Sequence, residues 1–278
     1  MALANSATLA RESTMAGLAT RLRTIFLGTA TILTLATGMI LLVIITILTL
    51  GLAQNWVVEF FSRTMGRMIL WFARVELRIE YLGEKVKSPA VYISNHSSTL
   101  DLFGIMALGL PRTRYVAKYE LMYNPFFGVM GLLTGQIFIK RQDSVKAIAV
   151  INRAYERIRR KNLSLFVAPE GTRIEGGQIG QFKKGAFRMA MDLQYPIVPI
   201  HFAGARRLCP GKTFVVTPGT VYARFYPQID TSSWTFENLE EQVNNIRQEY
   251  IRREREFENQ TKSTGLGYSP SDGRGENV

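Results

Sequence analysis

Ala90-Val91-Tyr92-Ile93-Ser94-Asn95-His96-Ser97-Ser98-Thr99-Leu100-Asp101 is the stretch that decides the fold. Four apolar residues read as a short strand, and the polar run after them reads as a loop entering a helix. Ser98-x-x-Asp101 is a capping-box pattern, so the helix starts there. The loop carries one of only two histidines in the chain, with a carboxylate five positions on. Five helical steps turn two side chains well apart, so the pair meets only if His96 stays in the loop and Asp101 sits in the first helical turn. A histidine titrates near neutrality, and an acid beside it orients the ring. The same residues also fit a plain reading, in which Asp101 caps the helix and His96 is an ordinary loop residue.

Outward from this stretch, strands and helices alternate. Val75, Leu77, Ile79 and Tyr81 alternate with charged residues as a half-exposed strand. Arg112 to Ala117, Gln136 to Ile139, Leu163 to Val167 and Ile197 to Phe202 read as further strands. Helices are expected over 101–108, 144–160, 184–193 and 235–259, the second with apolar residues at helical spacing and arginines in its last turn. Thr213–Val216 and Val221–Phe225 flank Thr217-Pro218-Gly219-Thr220, a hairpin pattern. The alternation argues an α/β fold with a mainly parallel mixed sheet flanked by helices.

An N-terminal membrane-anchoring helical segment precedes it. No charged residue falls between Ile25 and Ala53. As a helix that run reaches ~40 Å, more than a hydrocarbon core of ~30 Å. Trp56 to Phe72 then interleaves aromatics with Glu59, Arg63 and Arg67, as suits a helix in the membrane interface. The chain divides into a tail (1–24), anchor helices (25–73), a globular domain (75–260) and a polar tail expected to be disordered (261–278).

The chain of 278 residues is long enough to need no disulfide. Its single cysteine, Cys209, excludes an intramolecular disulfide and a cysteine-cluster metal site. The net charge of +12 points to an anionic partner: a lipid surface, phosphorylated substrates or nucleic acid. Nucleic acid fits least, because the cations fall in loops at strand ends and form no continuous basic face.

In open α/β sheets, sites form beyond the carboxyl ends of strands. Four such ends carry polar groups: His96, Lys118, Arg141 and the Glu170-Gly171-Thr172-Arg173 loop. Three are cationic, which describes an anion site beside a histidine base. Arginine suits phosphate because its planar fork binds two oxygens. Other templates fail. There is no G-x-S-x-G elbow. Gly211-Lys212-Thr213 ends like a phosphate-binding loop, but Arg206 stands where the first glycine belongs. No metal site and no cofactor are expected, and His201, inside a strand, reads as structural.

The residues resemble a known family. Asn95-His96-Ser97-Ser98-Thr99-Leu100-Asp101 is similar to the N-H-x-x-x-x-D motif of the glycerolipid acyltransferases. Lys118-Tyr119-Glu120-Leu121, Phe127-Gly128 and Ile137 to Arg141 resemble their second motif, Pro169-Glu170-Gly171-Thr172-Arg173 the third and Val198-Pro199-Ile200 the fourth. Ala168 and Ile174 depart from the common third motif, which has Phe before Pro and Ser after Arg. The resemblance covers about Val75 to Phe225 and is nearest to the bacterial 1-acylglycerol-3-phosphate branch.

The resemblance implies acyl transfer from acyl-CoA or acyl-carrier protein to the sn-2 hydroxyl of lysophosphatidic acid. His96 acts as general base and Asp101 orients it. Lys118, Arg141 and Arg173 hold the phosphate, and Glu170, Gly171 and Thr172 shape the loop. Glu170 is expected to touch a glycerol hydroxyl or to pair with a nearby cation. The implied setting is the bilayer, at the cytoplasmic face of a bacterial inner membrane. Two alternatives stand beside it: transfer to a different lysolipid, and a non-catalytic module that binds anionic lipid.

Overall fold

The computed structural model describes residues 2–85, 89–140, 144–172, 178–210 and 213–263. Helix α1 (Ala2–Leu48) runs unbroken past the boundary expected near residue 24, and a turn leads into α2 (Gln54–Phe72). Strand β1 (Val75–Tyr81) opens the sheet, followed by β2 (Val91–Ser94), α3 (Thr99–Leu108) and β3 (Thr113–Lys118). A 3₁₀ turn (Tyr119–Tyr123), α4 (Pro125–Thr134), β4 (Ile137–Ile139), α5 (Ser144–Arg160) and β5 (Ser164–Val167) come next. The chain then forms α6 (Gly185–Leu193), β6 (Ile197–Ala203), the short α7 (Ala205–Leu208), β7 (Gly219–Phe225) and α8 (Leu239–Ser263). The apolar, Gly-rich run 126–133 is therefore a helix.

The seven strands lie in the order β1-β7-β6-β2-β5-β3-β4, and every neighbouring pair is parallel except β6–β7. The central strands β2, β5 and β6 are buried along their whole length, which is why they read as continuous apolar runs. Their carboxyl ends share one edge of the sheet. The expected hairpin does not form. β7 pairs with β6 on one side and β1 on the other, so residues 213–216 find no free strand edge. Instead the Thr217 N–H bonds to Leu208 O.

Helices cover both faces. On one, α5, α6 and α8 enclose Val91, Ile93, Leu165, Phe187 and Tyr250. On the other, α2 and α3 enclose Tyr92, Phe166, Ile200 and Phe202. Gly66 sets the spacing between α2 and α3: a Cβ there would meet Ala107 N at 2.4 Å. Helix α2 thus joins the globular core through Leu70, while Val57 and Phe61 cluster with Leu42 of α1 and Met106 of α3, and Trp56, Phe60 and Trp71 face outward. α1 lies against α2, with Leu42, Phe61 and Met65 between them, and leaves Ile32, Ile40 and Ile47 exposed. Gly17–Leu48 is the one span among the described residues long and apolar enough to cross a membrane.

Candidate active site

The site begins where β2 ends. Asn95, fully buried, donates from Nδ2 to Phe202 O (2.9 Å) and accepts the Phe202 N–H on Oδ1 (2.8 Å). This side-chain pair continues the β2–β6 ladder by one step and fixes where the loop departs. His96 follows in the loop, and Ser98 caps α3, its hydroxyl accepting the Leu100 N–H (3.1 Å) and donating to Cys209 O (2.7 Å).

Asp101 is the third residue of α3 and fully buried. Its Oδ2 accepts the N–H groups of Ser97 (2.6 Å) and Ser98 (2.7 Å) and faces His96 Nδ1 at 3.3 Å. The carboxylate therefore caps the helix and orients the histidine with one oxygen. The cap amides and the imidazole meet the same oxygen because the loop folds back over the first helical turn. The helix N-terminus favours the negative charge. A carboxylate at Nδ1 assigns the ring proton to that nitrogen, leaving the Nε2 lone pair on the other side. The His96 side chain is 26 % exposed, so it is open to a reactant.

Glu170 supports the same loop from β5. Gly171 adopts φ 72°, a left-handed conformation that glycine takes without strain, and turns the chain after Glu170. The Glu170 carboxylate accepts the backbone N–H of His96 on Oε1 and that of Gly180 on Oε2, both at 2.8 Å. Burial raises its pKa, opposed by the hydrogen bonds from Gly180 and His96 and by the imidazole. Among the described residues its oxygens are thus engaged by backbone amides, and no ion pair with a cation forms.

Two residues of α8, which no motif marks, hold this arrangement in place. Arg247 donates to Gly180 O (2.6 Å) and Ile179 O (3.0 Å). Tyr250, wholly buried, places its hydroxyl 3.0 Å from Ile93 O and 3.1 Å from Ile200 O, clamping β2 to β6 just before His96. His201 sits buried in β6 with Nε2 2.7 Å from Glu254 on α8, a role in packing.

The cations divide. Lys118 ends β3 on the same sheet edge as His96, exposed, with Nζ 3.6 Å from Glu120. Thr172 is exposed beyond Gly171. Arg141 and Arg173 lie outside the described residues. Lys140, which precedes Arg141, stacks over the Tyr119 ring at 4.7 Å. Strands are ~4.8 Å apart, so the end of β5 lies one strand from His96 and that of β3 two.

An apolar cavity of about 140 Å³ opens between α2, α3, α4, β3 and β4, lined among others by Val58, Phe61, Met106, Ala117 and Phe138. Phe61 and Met65 separate it from a groove of about 570 Å³ between α1 and α2.

A family model described as Acyltransferase matches residues 74–203. A 1-acyl-sn-glycerol-3-phosphate acyltransferase of Limnanthes douglasii is 34 % identical over 192 residues, covering 69 % of this chain and 68 % of the relative. One of the same name from Haemophilus influenzae is 34 % identical over 179 residues, covering 64 % and 73 %. The crystal structure of a 1-acyl-sn-glycerophosphate acyltransferase from Thermotoga maritima superposes with a TM-score of 0.70 at 19 % identity, over 91 % of this chain and 99 % of that one, a likeness of fold. With these relatives and the histidine–aspartate site at the sheet edge, the chain belongs to the acyltransferase family of the 1-acyl-sn-glycerol-3-phosphate acyltransferases.

Proposed function

We propose that the protein transfers an acyl group from acyl-CoA or acyl-carrier protein to the sn-2 hydroxyl of 1-acylglycerol-3-phosphate, giving phosphatidic acid. The observation that carries the chemistry is the His96–Asp101 pair: Nδ1 held at 3.3 Å from a buried carboxylate, with the imidazole open on its other side. Nε2 takes the acceptor hydroxyl proton as its oxygen attacks the thioester carbonyl. The C–S bond then breaks, and the histidine returns the proton to the departing thiolate. Asp101 stabilises the imidazolium between these steps, as an acid does beside a catalytic histidine.

Lys118, Arg141 and Arg173 hold the acceptor phosphate in this reading. Gly171 and Thr172 shape the loop near it, and Glu170 acts by holding the His96 backbone. The apolar cavity beside α3 suits an acyl chain, because its walls offer contact with little polar surface to desolvate. The exposed apolar faces of α1 and α2 support a setting on the bilayer that holds the acceptor, on our reading the cytoplasmic face of a bacterial inner membrane. The test is product formation from 1-acylglycerol-3-phosphate with each thioester donor in turn, for the native enzyme and His96→Ala. Turnover on another lysolipid alone would change the acceptor, and full activity of a folded His96→Ala would remove the base.

A further inference from the structure

At the end of the sheet opposite His96, three arginines gather with one carboxylate, Glu59, near them among the described residues. Arg114, at the start of β3, is 2 % exposed and among the largest buried side chains. It donates to Asn55 Oδ1 near the start of α2 (2.5 Å) and to Thr113 O (3.2 Å). Arg157, in the last turn of α5, donates to Gly135 O (2.9 Å), while its Nε is buried without a partner. Both guanidiniums flank one glycine: a Cβ on Gly135 would stand 3.3 Å from Arg157 Nη1 and 3.7 Å from Arg114 Nε. Arg112 lies beside them, exposed, its side chain on Lys161 O. The acid nearby, Glu59, accepts the Arg112 backbone N–H, and among the described residues no guanidinium of the three is ion-paired. Burial and the charge of Arg157 pull the Arg114 pKa down to about 10, against the opposing charge of Glu59 and with a further push from Arg112. One carboxylate against three guanidiniums, one of them buried, leaves positive charge that favours a further anion.

The surroundings say which one. The turn between α1 and α2 exposes Leu50 by 89 % and Leu52 by 90 %, and Trp56 stacks on Phe60 at the surface. Asn55, the anchor of Arg114, lies between Leu52 and Trp56. Exposed aliphatics with an adjacent Trp mark the depth of lipid headgroups. The α2 N-terminus has no side-chain cap and adds its positive end.

We propose that Arg112 and Arg157, backed by the buried Arg114 held on Asn55, form a second anion site that seats the phosphate of a bilayer phospholipid. Arg114 stands four residues before Lys118 on β3, about 13 Å along the strand, so the site is separate from the catalytic edge. It does not depend on the acceptor assigned above.

The test is flotation of the full chain with vesicles of phosphatidylcholine alone and with phosphatidic acid added. Arg112→Gln/Arg157→Gln should lose about tenfold or more of the preference for the anionic vesicles, the scale of one charged hydrogen bond. Arg255→Gln/Lys262→Gln, which removes equal charge from exposed positions on α8, should lose far less. Asn55→Ala should weaken the preference at unchanged net charge. Thermal melting checks folding, and Arg112→Gln alone, at an exposed side chain, keeps the test open if the double variant is unstable. Turnover on detergent-dispersed substrate should be unchanged. Equal losses in both double variants would show general attraction and overturn the site. If inorganic phosphate stabilises the native protein and not the double variant while both bind vesicles alike, the ligand is soluble and the lipid assignment falls.

Discussion

Glu170 accepts the backbone N–H of His96 at 2.8 Å across 74 residues of sequence. The carboxylate is buried and its second oxygen is engaged by Gly180, so it acts on the loop that carries His96. Its pKa is raised in the folded protein. The folded state therefore binds the extra proton more readily, and this group's contribution to stability is greatest below pH ~4.5 and falls as pH rises through the raised value. Glu170→Gln has no such titration, and its amide nitrogen faces a backbone N–H. The stability advantage of the native protein over this variant should shrink as pH rises from about 4 towards neutrality. Urea unfolding of both proteins across that range measures it, and an advantage that grows with pH would contradict the assignment.

Asp101 serves cap and histidine with the same oxygen, so Asp101→Asn separates geometry from charge. The amide oxygen can still accept from Ser97 and Ser98, since Asn and Asp cap alike. Melting should change little, while turnover falls by about 10²-fold or more, as for His96→Ala. Circular dichroism melting and steady-state rates on the same samples decide it. Activity near native in both variants would leave Asp101 a cap alone.

Tyr250→Phe should destabilise the protein by ~1–3 kcal/mol, because Ile93 O and Ile200 O lose a buried donor. Activity should fall at temperatures below the melting transition, since the clamp sits just ahead of the histidine loop. A variant with native melting and native rates would show that the ladder hydrogen bonds suffice.

Arg173→Ala should raise the acceptor KM roughly ten- to a hundredfold, the value of a charged hydrogen bond, with little effect on donor KM. Lysine should rescue in part, keeping the charge without the planar fork. A change confined to donor KM would assign the arginine to the thioester's own phosphate.

The proposed membrane attachment through α1 can be tested without touching the core. Ile32, Ile40 and Ile47 are exposed on α1, and replacing them with Asn should release the protein from membranes after a high-salt wash while melting stays native. Deleting residues 1–73 should instead cost the fold, because α2 contributes Val57, Phe61, Ile69 and Leu70 to the interior and packs on α3 at Gly66. A well-folded, soluble protein lacking 1–73 would refute that.

What the amino-acid sequence determined by itself is local. The strand before His96, the cap at Ser98, the helical turn that presents Asp101 and the alternation of strands with helices follow from side-chain period and capping chemistry, which act over a few residues. The ordered motifs marked the histidine, the aspartate and the third-motif loop. The tertiary structure decided what depends on partners far along the chain. It placed β7 between β6 and β1 where a hairpin was expected, because the edges of those strands were free to pair. It turned Glu170 towards backbone amides and brought Tyr250 to a carbonyl 157 residues away. It also made α2 part of the core, and it brought Arg114 and Arg157 together at Gly135. No spacing rule relates such residues, because their proximity arises only when the sheet assembles and both faces are covered.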